Sequence, residues 1–272
     1  MDLSKIKLIV TDMDGTLLNS KHEVSSLFFD LFKRLKEHNI IFVAASGRPY
    51  YGMTSKLETI KNDIIIVAEN GGLAIQNDNV LLSNPIKTEN LRKIIAIVNS
   101  IDDAHPVFCT RHKAYVMSKS ERLLELLSEY YHNYQVINST SSIEEDVYKV
   151  ALFHEESSEK YIYPSVKVLE SDFKVKLSAT HWVDISEIEA NKGTAIKNIQ
   201  KKYKITTKET LAFGDYNNDV EMFDNAYYSF AMENAHPVVK DIARFETSNN
   251  NNFGVEAILE QVLRDKMRQI TN

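Results

Sequence analysis

Short apolar runs alternate with helical periodicity through the first third of the chain. The β-branched run Ile6–Val10 predicts a buried strand, and Ile40–Ala45 and Ile64–Ala68 predict two more. Between the first two runs, the apolar residues of Phe28–Leu35 recur at helical spacing, which predicts a helix ending near Asn39. Continuous apolar strands separated by helices indicate a parallel sheet that is covered on both faces.

The last third of the chain repeats this alternation. Apolar residues between Val255 and Leu263 recur at positions i, i+3, i+4, i+7 and i+8, which predicts a final amphipathic helix. The elements predicted before it are a helix over Thr194–Tyr203, a strand over Thr210–Phe213, a helix over Asp219–Ala226, and strands over Tyr227–Ala231 and Arg244–Thr247. Both ends of the chain therefore favour one α/β architecture.

The middle of the chain, roughly Asn84–Glu187, has a different pattern of short strands with interspersed amphipathic stretches. The predicted strands are Pro106–Thr110, Ala114–Met117, Tyr148–Phe153, Val175–Ser178 and Trp182–Ile185. The amphipathic stretches are Glu89–Ile101, Glu121–Tyr131 and Glu159–Ser171. We expect an α/β fold: a Rossmann-like, doubly wound, mainly parallel sheet formed by residues 1–83 and 188–272, with an inserted α+β domain over residues 84–187.

Composition and charge exclude several classes of protein. Of 272 residues, 32 are Lys or Arg and 38 are Asp or Glu, and this net charge of −6 argues against a nucleic-acid partner. The longest apolar run, Ile40–Ala45, is far shorter than the roughly 20 residues of a membrane helix, and no signal-peptide pattern begins the sequence. Cys109 is the only cysteine, which excludes an intrachain disulfide and a Cys-rich zinc site and favours a buried thiol. We expect a cytoplasmic protein.

Carboxylates follow the first predicted strand directly. Asp12 and Asp14 are two residues apart, so on extended chain both side chains project from one face. Two close carboxylates repel each other, which favours a bound cation or a retained proton. The alternative is that both are turn and capping residues, because Asp-Gly is a common turn sequence.

Other strand ends add groups that suit a metal ion and an anion. Ser46 and Gly47 follow the second strand, and Asp215 and Asp219 follow a later one. Lys192 opens a helix, where an ammonium and a positive helix N-terminus together favour an anion. Each residue alone has a simpler interpretation as a cap or a surface charge. Together they place Mg²⁺-type oxygen ligands and phosphate-type donors at one edge of one sheet.

In order and spacing, these segments resemble the four motifs of the haloacid-dehalogenase-like phosphatases. The segments are Asp12-Met13-Asp14-Gly15-Thr16, Ser46-Gly47-Arg48, Lys192-Gly193 and Gly214-Asp215-Tyr216-Asn217-Asn218-Asp219. The insert resembles the cap of the Cof-type subgroup, and Glu69-Asn70-Gly71-Gly72 is similar to a recurrent segment of that subgroup. The resemblance spans essentially the whole chain and is closest to bacterial sugar phosphatases.

The resemblance implies a Mg²⁺-dependent phosphatase that acts on small phosphorylated metabolites, with sugar phosphates as the expected substrates. It implies that Asp12 is a nucleophile forming an aspartyl-phosphate and that Asp14 is the general acid and base. The implied metal site comprises Asp12, the backbone carbonyl of Asp14, and Asp215, with Asp219 orienting these ligands. The implied phosphoryl-binding groups are Ser46, the Gly47 amide, Lys192 and Asn218.

Two departures from the family pattern concern the surroundings of the site. Tyr216 stands where a smaller residue is commoner, and Glu189-Ala190-Asn191 lacks the usual Pro/Gly turn before Lys192. Neither change removes a catalytic group. The residues that are candidates for contacting the leaving group, with packing or solvent exposure as the alternative for each, are Arg111, His112, His181, Trp182, Tyr50 and Tyr51.

Three other functions remain open at this point. A phosphomutase would use the same aspartates but return the phosphoryl group to a sugar. A non-catalytic phospho-ligand sensor would keep a stable aspartyl-phosphate, although a large insert suits substrate sequestration better. A dehalogenase is disfavoured because it has no need of the second acid at Asp14. We expect a monomer or a weak homo-oligomer, with no nucleic-acid or membrane partner.

Overall fold

The computed structural model of the chain describes residues 1–118, 120–130 and 133–271. Its strands are β1 (Leu8–Asp12), β2 (Ile41–Ala45), β3 (Ile65–Ala68), β4 (Leu73–Gln76), β5 (Asn79–Ser83), β6 (His105–Cys109), β7 (Ala114–Val116), β8 (Tyr134–Val136), β9 (Lys149–Phe153), β10 (Phe173–Ala179), β11 (Trp182–Glu187), β12 (Thr210–Gly214), β13 (Tyr228–Met232) and β14 (Phe245–Thr247). Its helices are α1 (Ser26–Glu37), α2 (Tyr50–Lys56), α3 (Thr88–Val98), α4 (Glu121–Tyr130), α5 (Ser158–Tyr161), α6 (Tyr163–Val166), α7 (Lys192–Tyr203), α8 (Val220–Phe223), α9 (Pro237–Ile242) and α10 (Gly254–Thr271).

The larger sheet has eight strands in the order β14-β13-β12-β1-β2-β3-β4-β5. Every pair from β14 to β3 is parallel, and only β4 and β5 add antiparallel edge strands. All residues of β1, β3 and β12 are buried, as expected for strands covered on both faces. The predicted α/β class with a mainly parallel sheet is confirmed. Since β12, β1 and β2 are neighbours, their carboxyl ends meet at one edge.

A second, six-stranded sheet has the order β10-β11-β9-β6-β7-β8 and is antiparallel except for the β7–β8 pair. It packs against α3 and α6 through its own apolar cluster, which includes Ile94, Phe108, Val150, Ile162 and Phe173. All of its strands come from the middle of the chain, between residues 105 and 187.

Helix α1 shows how the sequence builds the larger core. The Ser25 side chain accepts a hydrogen bond from the Phe28 amide at 3.0 Å, which caps the helix start. Phe28, Phe32 and Leu35 then fall on one buried face. The Phe28 ring lies 5.2 Å from the ring of Phe42 in β2, so aromatic packing fixes the helix on the sheet.

Several predicted elements differ from the observed ones for local reasons. The stretch Glu159–Ser171 is not one helix, because Pro164 has no amide hydrogen and the chain breaks there into α5, α6 and a 3₁₀ turn. The predicted helix Asp219–Ala226 is reduced to α8, after a 3₁₀ turn over Asn217–Asp219. The end of the predicted helix Glu121–Tyr131 falls on Tyr131, which lies outside the described residues.

Three strands were not predicted from the sequence, and two of them, β4 and β5, form a hairpin. The turn between these two has positive φ at both Asn77 (46°) and Asp78 (64°), a conformation that favours Asn, Asp and Gly. This Asn-Asp pair between apolar runs was the available sequence signal. The third missed strand, β8, has only three residues, too few for its alternation to be recognised.

Two further observations bear on the expectations from composition. Among the described residues, no helix combines the length and the apolar character needed to cross a membrane. Cys109 is buried in β6, as predicted.

Phe28→Ala removes a fully buried ring from the interface between α1 and the sheet. We expect a loss of about 3–5 kcal/mol in the free energy of unfolding, because the substitution leaves a cavity. The matched control is Leu27→Ala, since the neighbouring Leu27 side chain is 37% exposed, and this change should cost less than about 1 kcal/mol. Urea denaturation measures both values, and equal losses would contradict this account of the core.

Candidate active site

The residues predicted to form a site come together at the carboxyl edge of the larger sheet. The sequence pattern predicted that the first strand ends at Val10, but β1 continues for two more residues and ends at Asp12. Ser46 follows β2, Asp215 follows β12, and Lys192 is the first residue of α7. The Asn191 side chain accepts a hydrogen bond from the Thr194 amide at 2.7 Å, so a cap fixes where α7 begins.

Lys192 forms a buried ion-pair network with two of the carboxylates. Its Nζ lies 2.5 Å from Asp12 Oδ1 and 2.7 Å from Asp219 Oδ1, and its side chain is fully buried. Although burial disfavours the ammonium, the charges of both carboxylates raise the pKa of Lys192, which stays protonated. Burial raises the pKa of Asp12 well above its usual range, with Lys192 opposing that shift.

A third carboxylate completes an acidic cluster at this point. Asp12, Asp215 and Asp219 each offer an oxygen within 4.8 Å of the others. Burial, together with the charge of Asp219, raises the pKa of Asp215 to about 6. Three carboxylates near one ammonium leave excess negative charge, and hard oxygen donors in this number suit Mg²⁺. The donor set therefore fits the metal that the sequence resemblance implies.

Close approach of two segments requires the glycine after Asp14. Gly15 has φ +78°, and a Cβ at this position would lie 2.3 Å from Asp215 Oδ2. Only glycine permits both the backbone conformation and the contact. The neighbouring Thr16 hydroxyl donates a hydrogen bond to Asp215 Oδ1 at 3.1 Å, which orients that carboxylate toward the cluster.

Asp14 lies beside the cluster rather than in it. Arg48 donates to both of its oxygens, from Nε to Oδ2 and from Nη2 to Oδ1, each at 2.6 Å. Although partial burial acts in the opposite direction, the Arg48 guanidinium holds the pKa of Asp14 below its usual range. In this arrangement Asp14 is an ionised proton acceptor, and it becomes a donor only after taking up a proton.

The loop after β2 offers donors to an anion. Ser46 Oγ accepts a hydrogen bond from the Arg48 amide at 3.1 Å, so its own hydrogen is left to donate. Within the described ranges of the chain, the Gly47 amide donates to no acceptor. Asn218 lines the same cavity, and its Nδ2 donates to Asn70 Oδ1 at 3.0 Å.

A cavity of about 620 Å³ joins this edge to the second sheet. Asp12, Asp14 and Ser46 lie at one side of the cavity. The residues that the second sheet and its β10–β11 turn contribute to the lining are Lys149, Lys176, Ser178, Ala179, Thr180, His181, Trp182 and Asp184. The inserted segment thus forms part of the wall around the carboxylates.

Of the six candidates for contacting a leaving group, two line the cavity and four do not. His181 and Trp182 belong to the lining. The other four contact different partners. The Arg111 guanidinium lies 5.9 Å from the centroid of the Tyr50 ring, and His112 pairs with Glu145. Tyr51 packs against the apolar cluster around β6 and α4. Tyr216, the departure noted in the sequence, also lines the cavity, and its ring packs edge-on against His236.

Several residues of this site received no role from sequence reasoning. These are Thr16, Arg48, Asn70, Lys149, Lys176 and Asp184. Arg48 and Asn70 fall within segments that the family resemblance already marked, so their position was a usable signal. Lys176 and Asp184 reach the cavity only through packing of the second sheet, which no local pattern encodes.

The chain is similar to known proteins over nearly its whole length. The sequence profile of the haloacid dehalogenase-like hydrolases matches residues 9–259. The chain is 28% identical over 262 residues to the 5-amino-6-(5-phospho-D-ribitylamino)uracil phosphatase YbjI of Escherichia coli, covering 95% of this chain and 97% of that one. It is 28% identical over 269 residues to the putative phosphatase YxeH of Bacillus subtilis, covering 94% and 98%. The crystal structure of SMU.1108c from Streptococcus mutans superposes with a TM-score of 0.86 at 30% identity, covering 95% and 99%.

Asp215→Asn should stabilise the metal-free protein at pH 8. The folded-state pKa of Asp215, about 6, exceeds the value of about 3.9 in unfolded chains. The folded protein therefore binds this proton more tightly and loses stability as pH rises from about 4 to about 6. Asparagine lacks this proton, so the variant should gain on the order of 3 kcal/mol over wild type above pH 6 and nothing below pH 4.

Melting temperatures in EDTA across this pH range measure the effect. Asp30→Asn, at a carboxylate that is 74% exposed, is the control and should show no such pH-dependent difference. Added Mg²⁺ should raise the melting temperature of wild type more than that of Asp215→Asn, because the variant has lost a ligand. A variant less stable than wild type at pH 8 in EDTA would contradict the raised pKa.

Proposed function

Since the chain belongs to the haloacid dehalogenase-like hydrolases and is a phosphoric monoester hydrolase of their Cof-type group, we propose that it hydrolyses sugar phosphates and related small metabolites through an aspartyl-phosphate on Asp12. The observation that carries this proposal is the buried network of Asp12, Lys192 and Asp219 beside Asp215 at one sheet edge. We also propose that residues 84–187 act as a cap over a core formed by residues 1–83 and 188–272.

The size of the barrier indicates which kinds of catalysis are needed. Hydrolysis of a phosphate monoester requires acceleration of up to about 10²¹-fold, whereas general acid–base help gives about 10²–10⁴. Covalent catalysis and charge stabilisation must therefore supply most of the rate. Asp12, Asp215 and the Asp14 backbone carbonyl would hold Mg²⁺, with Asp219 orienting these ligands through its contact with Lys192. The ion would neutralise charge between the anionic nucleophile and the anionic phosphoryl group.

In the first step, a carboxylate oxygen of Asp12 attacks phosphorus and the ester P–O bond breaks. Lys192 holds Asp12 Oδ1 and fixes the orientation of the carboxylate, while Oδ2 receives no hydrogen bond from the described part of the chain. Ser46, the Gly47 amide, Asn218 and the Lys192 ammonium would bind the phosphoryl oxygens. Protonated Asp14 would give its proton to the leaving alkoxide, so that an alcohol departs.

In the second step, water replaces the aspartyl oxygen at phosphorus. Asp14, now ionised, takes a proton from the attacking water, and the acyl-phosphate P–O bond breaks to free Asp12 and inorganic phosphate. The Arg48 contact, which keeps the pKa of Asp14 low, supports this ionised state. For the first step, substrate must weaken the Arg48 contact so that Asp14 can carry its proton.

The lining of the cavity supports a polar, polyhydroxylated substrate. Lys176, Ser178 and Asp184 offer donors and acceptors, and Trp182 and His181 offer aromatic surface. The E. coli relative is named for a substrate with a phosphorylated ribityl chain, which is a polyhydroxylated phosphate ester. A panel of phosphorylated sugars, nucleotides and cofactors, assayed for released phosphate, tests the substrate class directly. Transfer to a sugar without phosphate release would favour a phosphomutase, and a stable phosphoenzyme would favour a sensor.

Asp12→Asn should reduce phosphate release by at least about 10⁴-fold, because the amide is a poor nucleophile. The fold should persist, since asparagine has nearly the same shape, and circular dichroism checks this. Asp30→Asn, an exposed position, serves as the control and should keep full activity. Near-normal turnover by Asp12→Asn would show that Asp12 is not the nucleophile. Undiminished hydrolysis by the wild-type protein in excess EDTA would show that Mg²⁺ is not required.

Asp14→Asn should affect the two steps unequally when the leaving group is varied. With 4-nitrophenyl phosphate, whose leaving group needs little protonation, Asp12 should still become phosphorylated while hydrolysis of the intermediate slows about 10²–10⁴-fold. Rapid quenching should then find phosphoenzyme accumulating in the variant but not in wild type. A variant that hydrolyses alkyl and aryl phosphates at wild-type rates would contradict the acid–base role.

A further inference from the structure

Each carbonyl oxygen of the loop Ser46-Gly47-Arg48 accepts a hydrogen bond from another part of the chain. The amide of Asn70 donates to the Ser46 carbonyl at 2.9 Å, and the amide of Glu69 donates to the Arg48 carbonyl at 3.1 Å. Both donors lie in a turn with positive φ, 50° at Glu69 and 53° at Asn70, which is an unfavourable conformation for residues with a side chain. The carbonyl between these two, that of Gly47, is held by a different part of the chain.

That third contact comes from the second sheet. Lys149, the first residue of β9, places its Nζ 3.0 Å from the Gly47 carbonyl oxygen and 2.9 Å from Glu69 Oε2. Asp184 of β11 contributes a further carboxylate oxygen at 3.7 Å. The side chains of Lys149 and Glu69 are only 6% and 1% exposed, so each charge depends on the other for compensation.

A continuous path leads from Lys149 to the hydroxyl of Ser46. The Gly47 carbonyl belongs to the same planar peptide as the Arg48 amide, so a donor on the oxygen fixes the orientation of the N–H. That N–H donates to Ser46 Oγ at 3.1 Å. An ammonium on the carbonyl also polarises the peptide and strengthens the second hydrogen bond. With its oxygen engaged in this way, the Ser46 hydroxyl has its hydrogen available for a phosphoryl oxygen.

We propose that Lys149 is a positioning residue that sets the Ser46 hydroxyl for phosphate binding through the Gly47–Arg48 peptide. This inference rests on the proposed function, in which Ser46 binds the phosphoryl group. Because Lys149 belongs to the inserted segment and the loop belongs to the larger sheet, phosphate affinity depends on how the two sheets are docked. The Ser46 hydroxyl is therefore oriented toward a bound substrate only when the second sheet is docked so that Lys149 contacts the Gly47 carbonyl.

The test separates this positioning role from a purely structural one. Lys149→Met alone leaves Glu69 buried without its countercharge, and both the melting temperature and the affinity should fall. The double variant Lys149→Met/Glu69→Gln removes that unpaired charge, so its melting temperature should recover. Its affinity for inorganic phosphate, measured by competitive inhibition and by calorimetry, should stay about 10-fold or more below wild type, and kcat/KM should fall with it.

A second ion pair between the sheets provides the matched control. Lys174 of β10 pairs with Glu221 of α8 at 2.9 Å. Within the described part of the chain, Lys174 forms no hydrogen bond or ion pair with the loop Ser46-Gly47-Arg48. Lys174→Met should therefore leave phosphate affinity within about two-fold of wild type. Wild-type affinity and kcat/KM in the double variant would overturn the positioning role while leaving the proposed function intact. A wild-type protein that neither binds phosphate nor releases it from esters would overturn both.

Discussion

The structure depends on the containment of negative charge at one edge of its larger sheet. Three carboxylates, from Asp12, Asp215 and Asp219, approach within 4.8 Å, and two of them share the buried ammonium of Lys192. Such a cluster is stable only while its charges are compensated, because desolvation of unpaired carboxylates is costly. The Asn191 side chain caps the start of α7 and so positions Lys192, and Gly15 leaves room for the Asp215 carboxylate. Both residues therefore help to bring the compensating charges together. The remaining charge makes the edge suited to a divalent cation and, through it, to a phosphoryl group.

Much of this arrangement could be predicted because its determinants are local. The strands of the larger sheet are continuous apolar runs, and parallel topology brings their carboxyl ends together whatever the details of packing. The chemistry-bearing residues directly follow those runs, so Asp12, Ser46 and Asp215 could be placed at one edge from the sequence alone. Errors at this level were small: β1 extends to include Asp12, and α8 is shorter than its apolar pattern indicated.

What could not be predicted is set by contacts between distant segments. The pairing of Arg48 with Asp14 lowers the pKa of the carboxylate proposed as the acid–base group, yet both side chains would have been compatible with many other partners. The cavity wall from the second sheet is a similar case. Trp182 and His181 reach it while Arg111 and His112 do not, although all four were equal candidates from the sequence. Orientation of the β10–β11 hairpin decides between them, and that orientation is a property of the packed sheet.

The short loop after β2 is where these long-range contacts meet. Arg48 reaches forward to the Asp14 carboxylate, Ser46 and Gly47 present donors toward the cavity, and Lys149 holds the loop from the second sheet. A loop of three residues has few internal contacts, so its shape must be imposed by its neighbours. Since those neighbours come from both sheets, the proposed acid–base residue Asp14 and the proposed phosphate donors both depend on this one loop. In the proposed function, catalysis and enclosure of the substrate are thus coupled through backbone geometry, and none of the proposed catalytic residues belongs to the inserted segment.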